Sequence, residues 1–314
     1  MSNLLLSINE VGPVFLIILI GVLLKRFKLI SDEFSSAATA VVFRVGLPCL
    51  LFGTLIKADF MKVLEPLPVV IAVLGVLLFF GLGWVVGTLA IRNTNTRGAF
   101  ILGSFWSNCA IIGFAVIQNA LGPKGLIPAS FIIAFLVPLF NILGITTLTI
   151  MEHKNRAFPV KKVLLMLATH PLIIAILLGV LVSVSRLKMP FIIDRSVSLL
   201  GQMTLPLALL SVGATLTFGN IRDNLPKAFA ASLIKTILMP TVITFIAWAL
   251  GVRGDNLVVL FILTGTPTAI TCFVVTTAMK SDCKLAANIV IVSTLMSVLT
   301  LAAGLFILRE LHLM

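Results

Sequence analysis

The sequence has no tyrosine and only three tryptophans, and just four of its 314 residues are cysteine. Those four, Cys49, Cys109, Cys272 and Cys283, show no metal-ligand spacing, and the first three lie inside apolar runs. They read as small packing residues, which excludes a disulfide framework and a thiolate metal site. Acid is scarce too: eleven Asp and Glu stand against 23 Lys and Arg. Every one of the eleven (Glu10, Asp32, Glu33, Asp59, Glu65, Glu152, Asp194, Asp223, Asp255, Asp282 and Glu310) falls in a loop or at the end of an apolar run. A sodium/proton antiporter carries its ions on carboxylates buried in the membrane, so this distribution argues against one. HExxH, GxSxG and paired intramembrane aspartates are missing, which argues against an intramembrane enzyme, and no cofactor is implied. Met1–Glu10 carries no Lys or Arg, unlike a secretory signal, so Val11–Leu24 reads as a retained helix. The net charge of +12 comes without a basic helix or an aromatic stacking platform, which argues against nucleic acid as a partner.

What the chain has instead is apolar length. It is 60% hydrophobic and 11% charged, with a mean hydropathy of +1.20. A soluble core of this size cannot hold so much apolar surface, whereas lipid can. Apolar spans fall near 11–27, 35–57, 66–91, 97–121, 125–151, 162–185, 194–217, 226–251, 256–279 and 285–309. Most are long enough to cross about 30 Å of hydrocarbon. The expectation is an all-α integral membrane protein of ten transmembrane helices joined by short polar loops.

Lys and Arg set the orientation. The loops after odd-numbered spans hold thirteen basic residues and the opposite side holds eight, with Arg44 and Lys235 inside spans. By the positive-inside rule both termini lie on the non-cytoplasmic side. A single offset of 158 aligns the two halves: Pro13 with Pro171, Leu47-Pro48 with Leu205-Pro206, and Pro68 with Pro226. Five spans per half is an odd number, so the second half enters the membrane inverted, a signature of secondary transporters. The halves are 1–152 and 162–314, with 153–161 as a cytoplasmic connecting loop.

The helices break where polar and helix-breaking residues gather at mid-span. The ninth span carries Thr264, Gly265, Thr266, Pro267 and Thr268, and the fourth carries Ser107, Asn108 and Cys109 at the matching depth. Paired interrupted spans point to a transporter's binding site, because each break leaves a half-helix with a positive N-terminal end. These eight residues are the candidate substrate-binding set. Pro48 and Pro206 are further candidate breaks, beside Pro267. Two basic residues supply candidate supporting charge: Lys235, well inside the eighth span, and Arg44, four residues before Pro48. An ammonium at that depth can cap the carbonyl ends that a broken helix leaves. His170, at the start of the sixth span, reads as an interfacial residue rather than a proton carrier. With no acid to oppose them, dipole ends and Lys235 favour an anionic substrate, and no metal site is expected.

Gly46-Leu47-Pro48-Cys49-Leu50-Leu51-Phe52, Lys235-Thr236-Ile237-Leu238-Met239-Pro240 and Gly113-Phe114-Ala115-Val116 carry a likeness. Through them the whole chain resembles the auxin efflux carrier family, in particular its bacterial members. The resemblance implies a fold similar to bile-acid and sodium/proton carriers. Scaffold helices 11–57 and 162–217 would also form a homodimer, and core helices 66–151 and 226–309 would move as an elevator. It further implies a small carboxylate substrate such as malate, malonate or an auxin-like acid, and a bacterial inner-membrane location. Proton and sodium are the candidate coupling ions. The rival readings are a sodium-coupled symporter of the bile-acid type and a membrane sensor on a transporter fold.

Overall fold

The computed structural model describes residues 3–57, 65–151, 169–187, 189–216 and 224–314. The connecting segment 153–161 and the start of the expected sixth span lie outside the described residues.

Twelve helices account for nearly all of it. They are α1 (Asn3–Arg26), α2 (Asp32–Leu55), α3 (Pro66–Ala90), α4 (Thr94–Phe105), α5 (Cys109–Leu121) and α6 (Pro123–Met151). Then follow α7 (Pro171–Val184), α8 (Phe191–Thr215), α9 (Leu225–Ala249), α10 (Gly254–Gly265), α11 (Ile270–Ala278) and α12 (Cys283–Glu310). Among the described residues the only extended pairing is one isolated antiparallel bridge between Ser107 and Thr268. Seven helices (α1, α2, α3, α6, α8, α9 and α12) are long and apolar enough to cross a membrane, and α5, α7 and α10 are shorter apolar helices. Large apolar side chains such as Leu89, Phe191 and Leu299 stand exposed on the outside. Such a surface is stable against lipid.

Local chemistry starts and stops these helices. Pro66, Pro123 and Pro171 open theirs at the first turn, where the missing N–H costs nothing. Ser31, Asn93 and Asp282 accept the orphan N–H groups of Phe34, Thr96 and Leu285 at 3.1, 3.1 and 3.0 Å. Gly122, at φ +69°, ends α5 in a conformation that favours glycine.

Pro48 and Pro206 do not break their helices, contrary to expectation: α2 and α8 run straight through them. At Pro48 the reason is visible. The preceding turn, Val42–Gly46, is a π-turn, closed by the Leu47 N–H on the Val42 carbonyl. A widened turn relieves the clash between the proline ring and the carbonyl four residues back. The same device precedes Pro240 in α9, over Ile234–Leu238.

Two pairs of short helices fill the centre. Gly98–Phe105 of α4 and Leu257–Gly265 of α10 are buried on every side, as are Cys109–Ile117 of α5. A half-helix that is apolar all round belongs in a core. Around them α1 crosses α8 so closely that a Cβ at Gly21 would strike the Leu210 carbonyl, and one at Gly213 the Ile18 carbonyl. An ion pair between Glu10 and Arg309, both largely buried, ties α1 to α12.

Candidate functional site

The chain unwinds between α4 and α5 at Trp106–Asn108, and again between α10 and α11 at Thr266–Ala269. The two gaps lie against each other as a short antiparallel pair. The Asn108 N–H donates to the Pro267 carbonyl at 2.9 Å, and the Ala269 N–H to the Trp106 carbonyl at 3.0 Å. Backbone freed by each break is thereby satisfied by the other, which membrane depth demands.

The second gap is further braced by side chains. The Thr268 hydroxyl donates to the Gly103 carbonyl of α4 at 2.7 Å, and its N–H donates to the Ser293 hydroxyl of α12 at 3.0 Å. The Thr266 hydroxyl donates to the Leu263 carbonyl at 3.1 Å. Lys235, with no exposed surface, sends its Nζ from α9 to the Thr264 carbonyl at 2.5 Å. That carbonyl lies in the last turn of α10, at the negative end of the helix dipole, where a cation is favoured.

The first gap is different. The Ser107 hydroxyl is buried without a hydrogen-bond partner among the described residues. Asn108 is only 7% exposed and caps α5 through its backbone alone, with no side-chain cap bond. Both face a cavity of about 390 Å³, which continues over Cys109, Ala110 and Ile111 in the first turn of α5. Ala269, Ile270 and Thr271, the head of α11, line it as well. Two helix N-termini therefore border one cavity, and backbone N–H groups there attract negative charge. The remaining wall comes from α2 (Thr39, Phe43), α6 (Phe140, Asn141), His170 and α8 (Ser211, Thr215). No carboxylate lines the cavity among the described residues. Trp106 forms its aromatic floor, stacked on Phe140 at 6.3 Å between centroids and seated on Gly144, where any Cβ would collide with the indole. A second cavity of about 460 Å³ lies along the same two helices toward their other ends, between Gly53 of α2, Lys57 just beyond it, Asp194 of α8 and Lys124 of α6.

The structure divides the eight candidate residues. Ser107, Asn108 and Cys109 line the cavity. Thr264, Gly265, Thr266, Pro267 and Thr268 do not; they form the clamp behind it, and Thr264 and Gly265 still belong to α10. Lys235 acts on that clamp. Arg44 is exposed and lines a shallow groove with Thr169 and Pro171. Sequence reasoning does not single out Trp106, Asn141, Ser211 or Ser293, and it reads His170 as interfacial, whereas the structure places His170 on the cavity wall. Only Trp106, adjoining the Ser107–Cys109 cluster, left a signal in the sequence.

Residues 6–304 match the model of a family described as membrane transport protein. The chain belongs to that family, the auxin efflux carriers. Three relatives of this carrier cover it nearly end to end. An uncharacterized transporter of Methanothermobacter thermautotrophicus is 26% identical, over 94% of this chain and 96% of its own. An uncharacterized transporter of Methanocaldococcus jannaschii is 25% identical, over 95% and 97%. A protein of Rhizobium meliloti described as a "putative malonate transporter" is 22% identical, over 95% and 94%. The family and these relatives are described as transporters and not as enzymes. With its apolar helices, this member of the family is a multi-pass membrane protein whose work is transport.

Proposed function

We propose that this carrier is a secondary transporter of a small organic anion, a carboxylate of the size of malonate or malate. The observation that carries the reading is the cavity at the first break. It has two helix N-termini, an unpartnered Ser107 hydroxyl and the Asn108 side chain on one wall, with no acidic side chain opposing them. The Rhizobium relative's description agrees with that chemistry. In this reading α4 with α5, and α10 with α11, are the fourth and ninth of ten spans, and 1–152 and 162–314 are inverted repeats. The bacterial inner membrane is the proposed location, with both termini on the non-cytoplasmic side. The core carries the anion past a scaffold of α1, α2, α7 and α8, which also forms the homodimer. Two cavities along α2 and α8, one on each side of the breaks, are what alternating access needs.

The sodium-coupled rival is less favoured. Carbonyl ends of broken helices are where such a carrier holds its cation, and here Lys235 takes the carbonyl end of α10. The test is malonate uptake into proteoliposomes. Uptake is expected with an inward anion gradient and no sodium; strict sodium dependence would favour the rival. Asn108→Ala is expected to weaken malonate binding about tenfold, or about 1.4 kcal/mol. Unchanged affinity would remove Asn108 from the site.

A further inference from the structure

Among the side chains lining the cavity is one whose place in the sequence reads as interfacial. His170 precedes α7, its carbonyl accepting the Ile174 N–H at 3.1 Å. Its ring is partly buried, and Nδ1 is shut away from solvent without a hydrogen-bond partner among the described residues. It lines the same cavity as Ser107, whose hydroxyl is also buried and unpartnered. A buried polar atom left unmatched costs about 1–3 kcal/mol. Both residues line one cavity, and a turn of the hydroxyl or a flip of the ring brings these polar atoms to face a ligand there. Apart from the Cys109 thiol, His170 is the only titratable side chain lining that cavity among the described residues.

We propose that His170 is a carboxylate ligand of this cavity and that its imidazole takes up a proton as the anion binds. The inference rests on the carboxylate reading above and names the residue that makes loading sensitive to pH. A neutral imidazole offers one donor and one acceptor, whereas the imidazolium offers two donors, and a carboxylate can only accept. An anion placed against the ring favours its charged form, and the proton comes from water on the side where the anion enters. The surroundings fit this order of events. α7 packs on α2 and α6. α2 brings Arg44, in the groove beside Thr169 and Pro171, and the Cys49 thiol. α6 bears a charge only at Lys124, at its far end. Without a ligand, partial burial of the ring disfavours a positive charge on it, so the proton arrives with the anion rather than before it. His170 also stands at the head of a scaffold helix, while Ser107 and Asn108 belong to the moving core. When the core leaves with the anion, the proton stays behind and returns to the same side. The pH therefore controls loading from one side of the membrane, and no proton is carried across with each substrate.

Calorimetric titration of the purified protein with malonate tests this, in two buffers of different ionisation enthalpy between about pH 6.5 and 8, the upper part of histidine's range. Wild type is expected to take up protons on binding and to lose affinity several-fold as pH rises. His170→Gln, with His170→Asn as a second neutral variant, is expected to bind more weakly at the lower pH with a flat profile. Malonate's own ionisation is common to all three proteins and cancels in the comparison. Malonate bound by wild type without proton uptake, or with the same uptake in the variants, overturns the role of His170 and leaves the carboxylate reading standing. Wild type that binds neither malonate nor succinate overturns both.

Discussion

The two breaks at the centre of the molecule look equivalent in sequence and are opposite in structure. Around Thr266–Ala269 the bonds are closed: Thr268 is held by Gly103 and Ser293, Thr266 by Leu263, and the Thr264 carbonyl by Lys235. Around Trp106–Asn108 the backbone pairs through Asn108 and Trp106, but the Ser107 hydroxyl has no partner among the described residues and its residue lines a cavity. A polar group that is matched within the fold adds stability. One that is left unmatched costs stability until a ligand arrives. In the proposed reading the second break is thus the buttress and the first is the part that meets the substrate. Two breaks of similar composition need not share a task.

Substitutions can break this contrast, and the largest effect is expected at Lys235. Lys235→Met keeps the length of the side chain and removes its charge. It should abolish malonate uptake and cost about 2 kcal/mol of stability, since a charged hydrogen bond to a buried carbonyl is lost. Near-normal uptake in that variant would show that the buttress holds without it. Thr268→Val comes next. It strips the bond to Gly103 and should lower stability by about 1–2 kcal/mol, read as an earlier unfolding midpoint, while changing malonate affinity less than twofold. A large loss of affinity with normal stability would move Thr268 from the clamp to the cavity. The smallest effect belongs to Ser107→Ala. Stability should stay within about 0.5 kcal/mol, because no bond is lost. Malonate affinity should fall about fivefold, near 1 kcal/mol. Destabilisation without loss of affinity would reverse the roles assigned to the two breaks.

The sequence located both breaks to within a few residues, because Gly, Pro and Asn are poor helix formers and gathered at one depth. It did not tell the two apart. Thr264 shows why: its hydroxyl bonds back to the Leu260 carbonyl at 2.7 Å, inside a regular helix. A threonine at a helix end can serve the helix, a neighbour or a ligand, and composition looks the same in each case. Pro48 was misleading for a related reason, since the π-turn before it absorbs the strain inside a continuous helix. His170, at the start of the expected sixth span, reads from the sequence as an interfacial residue. It meets the cavity only because α7 packs on α2 and α6, a contact between residues far apart in the chain.

The crossing of α1 over α8 has a consequence for how the protein is made. Gly21 belongs to the first half of the chain and Gly213 to the second, and each presses backbone of the other half. The same exchange recurs where α2 meets α7 and α8, and where α4 meets α9 and α12. Neither half buries its own bare faces. A ribosome that has released the first half into the bilayer has delivered an unfinished article, with glycine notches cut for helices not yet translated. Assembly therefore waits for the last third of the chain. Expressed as separate pieces, the halves should find each other or be degraded.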